Sequence, residues 1–573
     1  MMFSQRLRFN AVKLEGERSS ALDLARGRLV LVSGFFIVVY MIFAVRAFDL
    51  AVIQGHVLGR DNGNAIEYVS KKPVGAIRRA DITDRNGALL ATTLKTVSLY
   101  ADSHLISSPA EAATKLVEIF PDLKYGDVLQ KLQGGKRFEW ITRSVSPDQQ
   151  YQVLQIGEPG LEFEEAYKRF YPQGPLAAHL LGYSNVDADG LAGVERSFNR
   201  HLSQGQDLRL TLDVRLQHVL RRELARAMGD FEAKAATGAI MDVTTGEILA
   251  GVSLPDFNPH IPGKAKENEI FNRLTLGVYE LGSVFKIFST AGFFERHDVP
   301  MSTTFDASEP IKAGRFTIND YHAEDRILTV PEVFMYSSNI GSALMGQAIG
   351  TENMRDFYKD LGLLSALDFE VREVGRPMVP SPWREVNTLT ASYGHGLATT
   401  PLQLITAVSS IVNGGYLVQP SLVMQEDTAQ STTEETRVVS AKTAQRMRQL
   451  LRLVVTDGTG KNADVKGYRV GGKTGTAEKI VDGRYDNDKK ISSFIGVFPM
   501  DAPRYAVFVM VDEPKGQKWS YGYATGGWVA APAVSRVVAS MGSILGLPPA
   551  QENAPENRFG ESLKRYVSVK EKR

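Results

Sequence analysis

Hydrophobic positions are arranged in three different ways along this chain, and each arrangement predicts a different kind of element. Leu29 to Val45 reads LVLVSGFFIVVYMIFAV, 17 uncharged residues between Arg28 and Arg46. A run with no polar face does not suit a globular surface, and this length spans hydrocarbon when the flanking arginines snorkel to the interfaces. The run is followed by Arg46-Ala47-Phe48-Asp49-Leu50 rather than a small-residue cleavage site, so an uncleaved transmembrane anchor over 29–46 is expected instead of a signal peptide or a buried core helix. The preceding tail, 1–28, carries Arg6, Arg8, Lys13, Arg18, Arg26 and Arg28 against Glu15, Glu17 and Asp23. That basic excess puts the N-terminus in the cytoplasm and the remainder of the chain across the membrane.

From 47 to 235 short alternating runs such as Val97–Ala101 predict strands. Runs of helical period, Ala110–Phe120 and Gln149–Ile156, predict helices, with Pro, Gly and Asp between them. From 236 to 546 the pattern tightens. Thr237–Val243 and Gly246–Val252 flank a Thr-Thr turn and read as a hairpin. Helical stretches follow through the 280s, 330s, 350s and 400s, and Ser493–Phe498 and Tyr505–Val511 are β-like runs joined by a Pro/Asp turn. Apolar residues thin out after 547, so 547–573 reads as a polar, disordered tail. The order of elements predicts an α/β (α+β) protein: anchor, mixed module, larger domain.

Composition narrows the function. A chain of 573 residues, 43% apolar and 23% charged, is globular and holds more than one folded part. Its net charge of +1 gives no footprint for nucleic acid, and with no cysteine there is neither thiol catalysis nor a Cys-ligated metal. His297, His322 and His395 lack ligand spacing, so neither metal nor cofactor is expected.

Chemistry concentrates in Tyr279-Glu280-Leu281-Gly282-Ser283-Val284-Phe285-Lys286. Three residues apart on a helix, Ser283 and Lys286 share a face, and an amine held unprotonated can take the proton of a hydroxyl that is otherwise a poor nucleophile. Such pairs also arise by chance. What distinguishes this one is that Ser337-Ser338-Asn339 follows 54 residues later and Lys473-Thr474-Gly475-Thr476 a further 136 on.

In order and spacing the three sites resemble the S-x-x-K, S-x-N and K-T-G set of penicillin-binding proteins and serine β-lactamases. Arg79-Ala80-Asp81-Ile82-Thr83-Asp84-Arg85-Asn86-Gly87 resembles the opening of the non-penicillin-binding module of class B penicillin-binding proteins, with Ala80 where glycine is usual. Arg169–Gly174 with His179 and Gly182, Gly190–Glu195, and Thr211-Leu212-Asp213 with Gln217 also resemble that module. Their charged residues are expected to pair at a module junction rather than carry chemistry. The resemblance implies a pedestal or dimerisation-type module over 47–235. It also implies a β-lactamase-like transpeptidase domain over 236–546, a mainly antiparallel sheet sandwiched by helices.

The resemblance further implies roles. Ser283 attacks the D-Ala-D-Ala bond of a peptidoglycan stem peptide, Lys286 is the base, and Ser337 relays the proton to the leaving amine. Asn339 holds the substrate amide. Lys473, a fixed positive charge, binds the substrate carboxylate with Thr474 and Thr476, and the backbone N–H groups of Ser283 and Thr476 form the oxyanion hole. Leu281 stands where the family usually has proline. Implied partners are stem peptides, β-lactams, the inner membrane, a SEDS-family membrane glycosyltransferase and other divisome proteins. The Ser337–Gly341 and Ser392–Gly396 forms resemble the cell-division type. An elongation-type enzyme, a carboxypeptidase or β-lactamase, and a non-catalytic β-lactam sensor stay open as alternatives.

Overall fold

The computed structural model describes residues 34–41, 43–44, 78–314, 316–425, 436–481, 484–551 and 555–568. The chain divides into two units, Met1–Ala76 and Ile77–Arg573. In the first, 34–41 and 43–44 are helical and expose Phe35, Phe36, Ile37, Tyr40, Met41 and Phe43. The rest of the predicted anchor and all of the cytoplasmic tail lie outside the described residues. Among the described residues no helix is long and apolar enough to cross a membrane.

The second unit opens with a five-stranded sheet of β1 (Ile82–Thr83), β2 (Leu89–Ala101), β3 (Glu139–Val145), β4 (Leu161–Phe170) and β5 (Leu208–Arg209). The predicted strand at 97–101 is the second half of β2, and β2 pairs antiparallel with both β3 and β4. Helices α1 (Pro109–Ile119), α2 (Tyr125–Gln133) and α3 (Pro147–Leu154) bury Leu116, Leu132 and Val153 in one cluster with Leu99 and Ile141 of the sheet. The charged residues do pair, Arg79 and Arg169 with Glu195 inside the module and Arg85 with Glu247 across the junction. Glu195, fully buried, accepts from Arg79 Nε at 2.8 Å and from Arg169 Nε at 2.7 Å. Ala80 is buried and is absent from the positive-φ positions, so alanine fits where glycine is usual. Arg85 reaches Glu247 of the next domain at 3.2 Å. Asp213 caps α4 (Val214–Asp230) through Arg215 N, and the Gln217 amide bridges Leu176 O and Gly251 O.

The second sheet is antiparallel throughout, in the order β8-β9-β10-β6-β7, with β6 (Ala235–Asp242), β7 (Ile248–Leu254), β8 (Gly471–Val481), β9 (Arg484–Phe498) and β10 (Tyr505–Asp512). Because side chains alternate between faces, each central strand feeds two cores. Phe494, Val507 and Val509 pack with Leu220 and Leu224 of α4 and Val534 and Val537 of α10 (Gly526–Ile544). Ile495, Phe508 and Met510 pack on the opposite side with Phe285 and Phe288, with Ile405 and Val408 of α8 (Pro401–Val412), and with Leu450 and Val454 of α9 (Ala441–Thr456). Strand β8 is thus an edge, with one side free to face a substrate.

One expectation is corrected. Part of the tail read as disordered, 555–568, docks on the domain: Leu563 is buried, Thr329 Oγ1 donates to Tyr566 O, and Ser568 N donates to Glu332 Oε1. A few apolar side chains on short 3-10 turns suffice when backbone groups also find partners.

Candidate active site

Ser283 lies in a 3-10 turn, Gly282–Phe285, and Lys286 is the first residue of α5 (Lys286–His297). The expected helical facing is therefore achieved in a tighter form, since residues three apart eclipse in a 3-10 turn. Lys286 Nζ is 2.9 Å from Ser283 Oγ. The turn depends on Gly282, whose φ is +57° and where a Cβ would lie 2.6 Å from Thr476 O. Leu281, in the usual proline position, is buried with φ −100°, so its side chain serves as packing and the turn forms without the ring.

The second site falls at a break between helices. Helix α6 (Val330–Tyr336) ends on Ser337 in the left-handed conformation, and Ser338 caps α7 (Asn339–Ile349) by accepting from Gly341 N. The left-handed turn directs both oxygens of Ser337 at Lys286: Nζ is 2.6 Å from the carbonyl and 3.1 Å from Oγ. Asn339 Oδ1 lies 2.7 Å from the same nitrogen. A residue not anticipated from sequence holds the break together. Asp320 accepts from Ser338 Oγ at 2.7 Å through one carboxylate oxygen and from the backbone N–H groups of Asn339 and Ile340 through the other. An available signal was the cap itself, because a helix N-terminus leaves N–H groups that need acceptors.

The third site runs along β8. Lys473 Nζ donates to Ser337 Oγ at 2.8 Å, closing a chain of contacts from Lys473 through Ser337 and Lys286 to Ser283. Thr474 Oγ1 lies 2.8 Å from Thr459 Oγ1, and Thr476 Oγ1 accepts from Gly526 N at the start of α10. Both hydroxyls thus lie by the N-terminal end of a 19-residue helix, where a negative charge is favoured. Thr476 O faces the nucleophile turn. Since both hydrogen-bonding groups of a strand residue lie on the same edge, the Thr476 N–H faces that way too.

Burial controls the charges. Both lysines are fully buried. Desolvation lowers Lys286 well below 10.5, repulsion from Lys473 adds to the drop, and Asp320 opposes it. Desolvation also lowers Lys473, to about 7, so its positive charge is not fixed at neutral pH. Among the described residues no three His, Asp or Glu side chains gather as metal ligands. His297 Nε2 lies 3.1 Å from a backbone carbonyl, Ala348 O, and the His322 ring packs edge-on to Tyr321.

A hydroxyl joined to a buried amine at the edge of a helix-covered antiparallel sheet defines a serine-type acyl-transfer site. Residues 236–539 match the penicillin binding protein transpeptidase domain and residues 76–208 the penicillin-binding protein dimerisation domain, so the chain belongs to the class B penicillin-binding proteins. It is 36% identical over 559 residues to the probable peptidoglycan D,D-transpeptidase FtsI of Caulobacter vibrioides, covering 94% of this chain and 93% of that one. It is 28% identical to the peptidoglycan D,D-transpeptidase FtsI of Escherichia coli K12, covering 84% and 86%. Penicillin binding protein 3 of Mycobacterium tuberculosis, solved in complex with aztreonam, superposes with a TM-score of 0.66 at 25% identity, covering 83% of this chain and 98% of that one.

Proposed function

We propose that this protein is a membrane-anchored D,D-transpeptidase that cross-links peptidoglycan stem peptides through an acyl-enzyme on Ser283, acts at the division septum, and is a β-lactam target. The observation that carries the reading is the environment of Lys286 Nζ. An unprotonated amine has two N–H bonds and one lone pair. Ser337 O at 2.6 Å and Asn339 Oδ1 at 2.7 Å take the two N–H groups, leaving the lone pair for the hydroxyl of Ser283 at 2.9 Å. Full burial favours this neutral form.

The Ser283 O–H then donates to Lys286, and Oγ adds to the carbonyl carbon of the D-Ala-D-Ala bond. The N–H groups of Ser283 and Thr476 hold the oxyanion, an assignment supported by the facing of Thr476. The proton passes from Lys286 through Ser337 Oγ to the leaving nitrogen, the C–N bond breaks, and D-alanine departs. Lys473, Thr474 and Thr476 hold the substrate carboxylate beside the α10 N-terminus, and Asn339 holds the substrate amide. The amine of a second stem then takes the acyl group.

The boundaries proposed are a cytoplasmic tail to 28, an anchor over 29–46, a pedestal to 235 and a periplasmic transpeptidase domain to 546, in a bacterial inner-membrane protein. A SEDS-family glycosyltransferase and other divisome proteins are the proposed partners. The resemblance to the division type and the names of the relatives at 36% and 28% identity favour septal over elongation work. The test is labelling of living cells with a fluorescent penicillin, followed by imaging. Label on this protein concentrated at the septum is expected; label spread along the side wall would favour elongation, and no label would refute the acyl-enzyme.

A further inference from the structure

Helix α6, which delivers Ser337, has only seven residues, too few to hold its shape unaided. Its C-terminal end carries a further burden, because Ser337 takes the left-handed conformation, φ 63°, that a side chain disfavours. What fixes this helix comes from outside it. At the N-terminal end the outside partner is the chain's own C-terminal segment. Thr329, the N-cap, donates through Oγ1 to Tyr566 O at 2.8 Å, and Glu332 of the first turn accepts from Ser568 N at 2.8 Å. The Glu332 carboxylate is buried and takes two more donors, Arg326 at 2.9 Å on the same oxygen and Thr329 N at 2.9 Å on the other. The 3-10 turn Glu561–Tyr566 bears on α9 as well as on α6. Leu563 is buried, and Phe559, Tyr566 and Val567 pack against the same core. Gly560 brings the backbone so close to α9 that a Cβ would lie 3.3 Å from Gln449 O, and Lys564 reaches Asp457, the residue after α9, at 3.4 Å.

The C-terminal segment and the catalytic turn thus grip opposite ends of one two-turn helix, with Glu332 and Ser337 about 7.5 Å apart along its axis. A displacement at the first end travels through the helix to the second. There Ser337 Oγ holds 3.1 Å to Lys286 and 2.8 Å to Lys473, and a reacting group misplaced by about 1 Å loses about 100-fold in rate. Resting on the transpeptidase reading, we infer that residues 555–568 are a strap that positions α6, and through it Ser337, for proton relay. The strap acts through Thr329 and Glu332, which are positioning residues and touch no substrate. It is a surface segment held by one fully buried leucine and a few polar contacts, so it undocks at far lower cost than the domain unfolds, and the acylation rate follows the docked fraction.

The test compares the full chain with a chain ending at Gln551 in stopped-flow acylation by benzylpenicillin. The limiting rate of the shortened chain should fall about tenfold, as a displacement of about half an ångström at the relay would cause. Because Ser337 passes a proton and does not hold the drug's carboxylate, the half-saturating drug concentration should stay close to that of the full chain. The fraction of protein finally labelled should also be unchanged. A peptide of residues 552–573 added in trans should restore the rate along a saturating curve, and the same peptide carrying Leu563→Ala should restore little. Leu563→Ala in the full chain should lower the limiting rate with no backbone removed. A shortened chain and a Leu563→Ala chain that both acylate at the full rate would overturn the strap. So would a smaller labelled fraction at an unchanged rate, which marks partial unfolding alone, or a slowed rate that the peptide leaves unrestored. A full chain that benzylpenicillin does not label would instead remove the transpeptidase reading, and the strap's role with it.

Discussion

Lys473 is the residue whose charge state is most sharply testable. Burial lowers its pKa from 10.5 to about 7, a displacement that corresponds to about 5 kcal/mol of disfavoured charge. If acylation needs Lys473 protonated to hold the substrate carboxylate, the rate falls as pH rises through about 7, and at pH 8.5, with about 3% still protonated, it should be about 30-fold below its plateau. Arginine keeps its charge throughout this range. Lys473→Arg should therefore lower the plateau but abolish the alkaline fall. The assay is the second-order rate of benzylpenicillin acylation from pH 5 to 9.5, with melting curves to confirm that the guanidinium fits. The same displacement has a stability consequence of defined sign. Between about 7 and 10.5 the unfolded chain binds more protons at this site than the folded one, so stability should rise with pH across that window. A wild-type acylation rate that stays flat to pH 9, or an alkaline limb that persists in Lys473→Arg, would refute the reasoning.

Three further substitutions test separate parts of the site and fold. Lys286→Arg should be about as damaging as Lys286→Ala, each slowing acylation on the order of 10² to 10⁴, because arginine supplies charge but no base; near wild-type acylation by Lys286→Arg would exclude Lys286 as the base. Asp320→Asn should slow acylation by about tenfold, since it weakens three hydrogen bonds that fix the Ser337–Asn339 turn; stopped-flow acylation and a melting curve separate this from unfolding. Glu195→Gln leaves Arg79 and Arg169 buried without a counter-charge and should cost about 3–5 kcal/mol, read by denaturant unfolding.

That Ser283, Lys286, Ser337, Asn339 and Lys473 come together was legible because each pair or triplet is contiguous in sequence and the spacing between them is distinctive. The two-faced sheet was legible in part: hairpin β6–β7 and the cores of β9 and β10 show as apolar runs, but the polar first half of β9, Arg484–Lys490, does not. Its pairing with β8 is what extends the hairpin toward Glu280. Asp320 was hidden because its partners lie 18 to 20 residues away and a lone acidic residue in a loop announces nothing. Glu280 and Tyr485, 205 residues apart, meet only through tertiary structure. The docking of 555–568 was missed because thin hydrophobicity reads as disorder, whereas Leu563 and two backbone bonds anchor it. The lowered pKa of Lys473 was hidden for a related reason, since burial is a property of the fold rather than of the residue type.

The most direct measurement is mass spectrometry of a tryptic digest after incubation with benzylpenicillin, on wild-type protein and on Ser283→Ala. Because the drug's leaving group stays tethered and the site is built for an amine acceptor, wild-type protein should carry a stable penicilloyl adduct on the peptide containing Ser283. Ser283→Ala should keep its melting temperature and carry none. An adduct on another residue, rapid turnover of the drug, or labelling that survives Ser283→Ala would contradict an acyl-enzyme on Ser283.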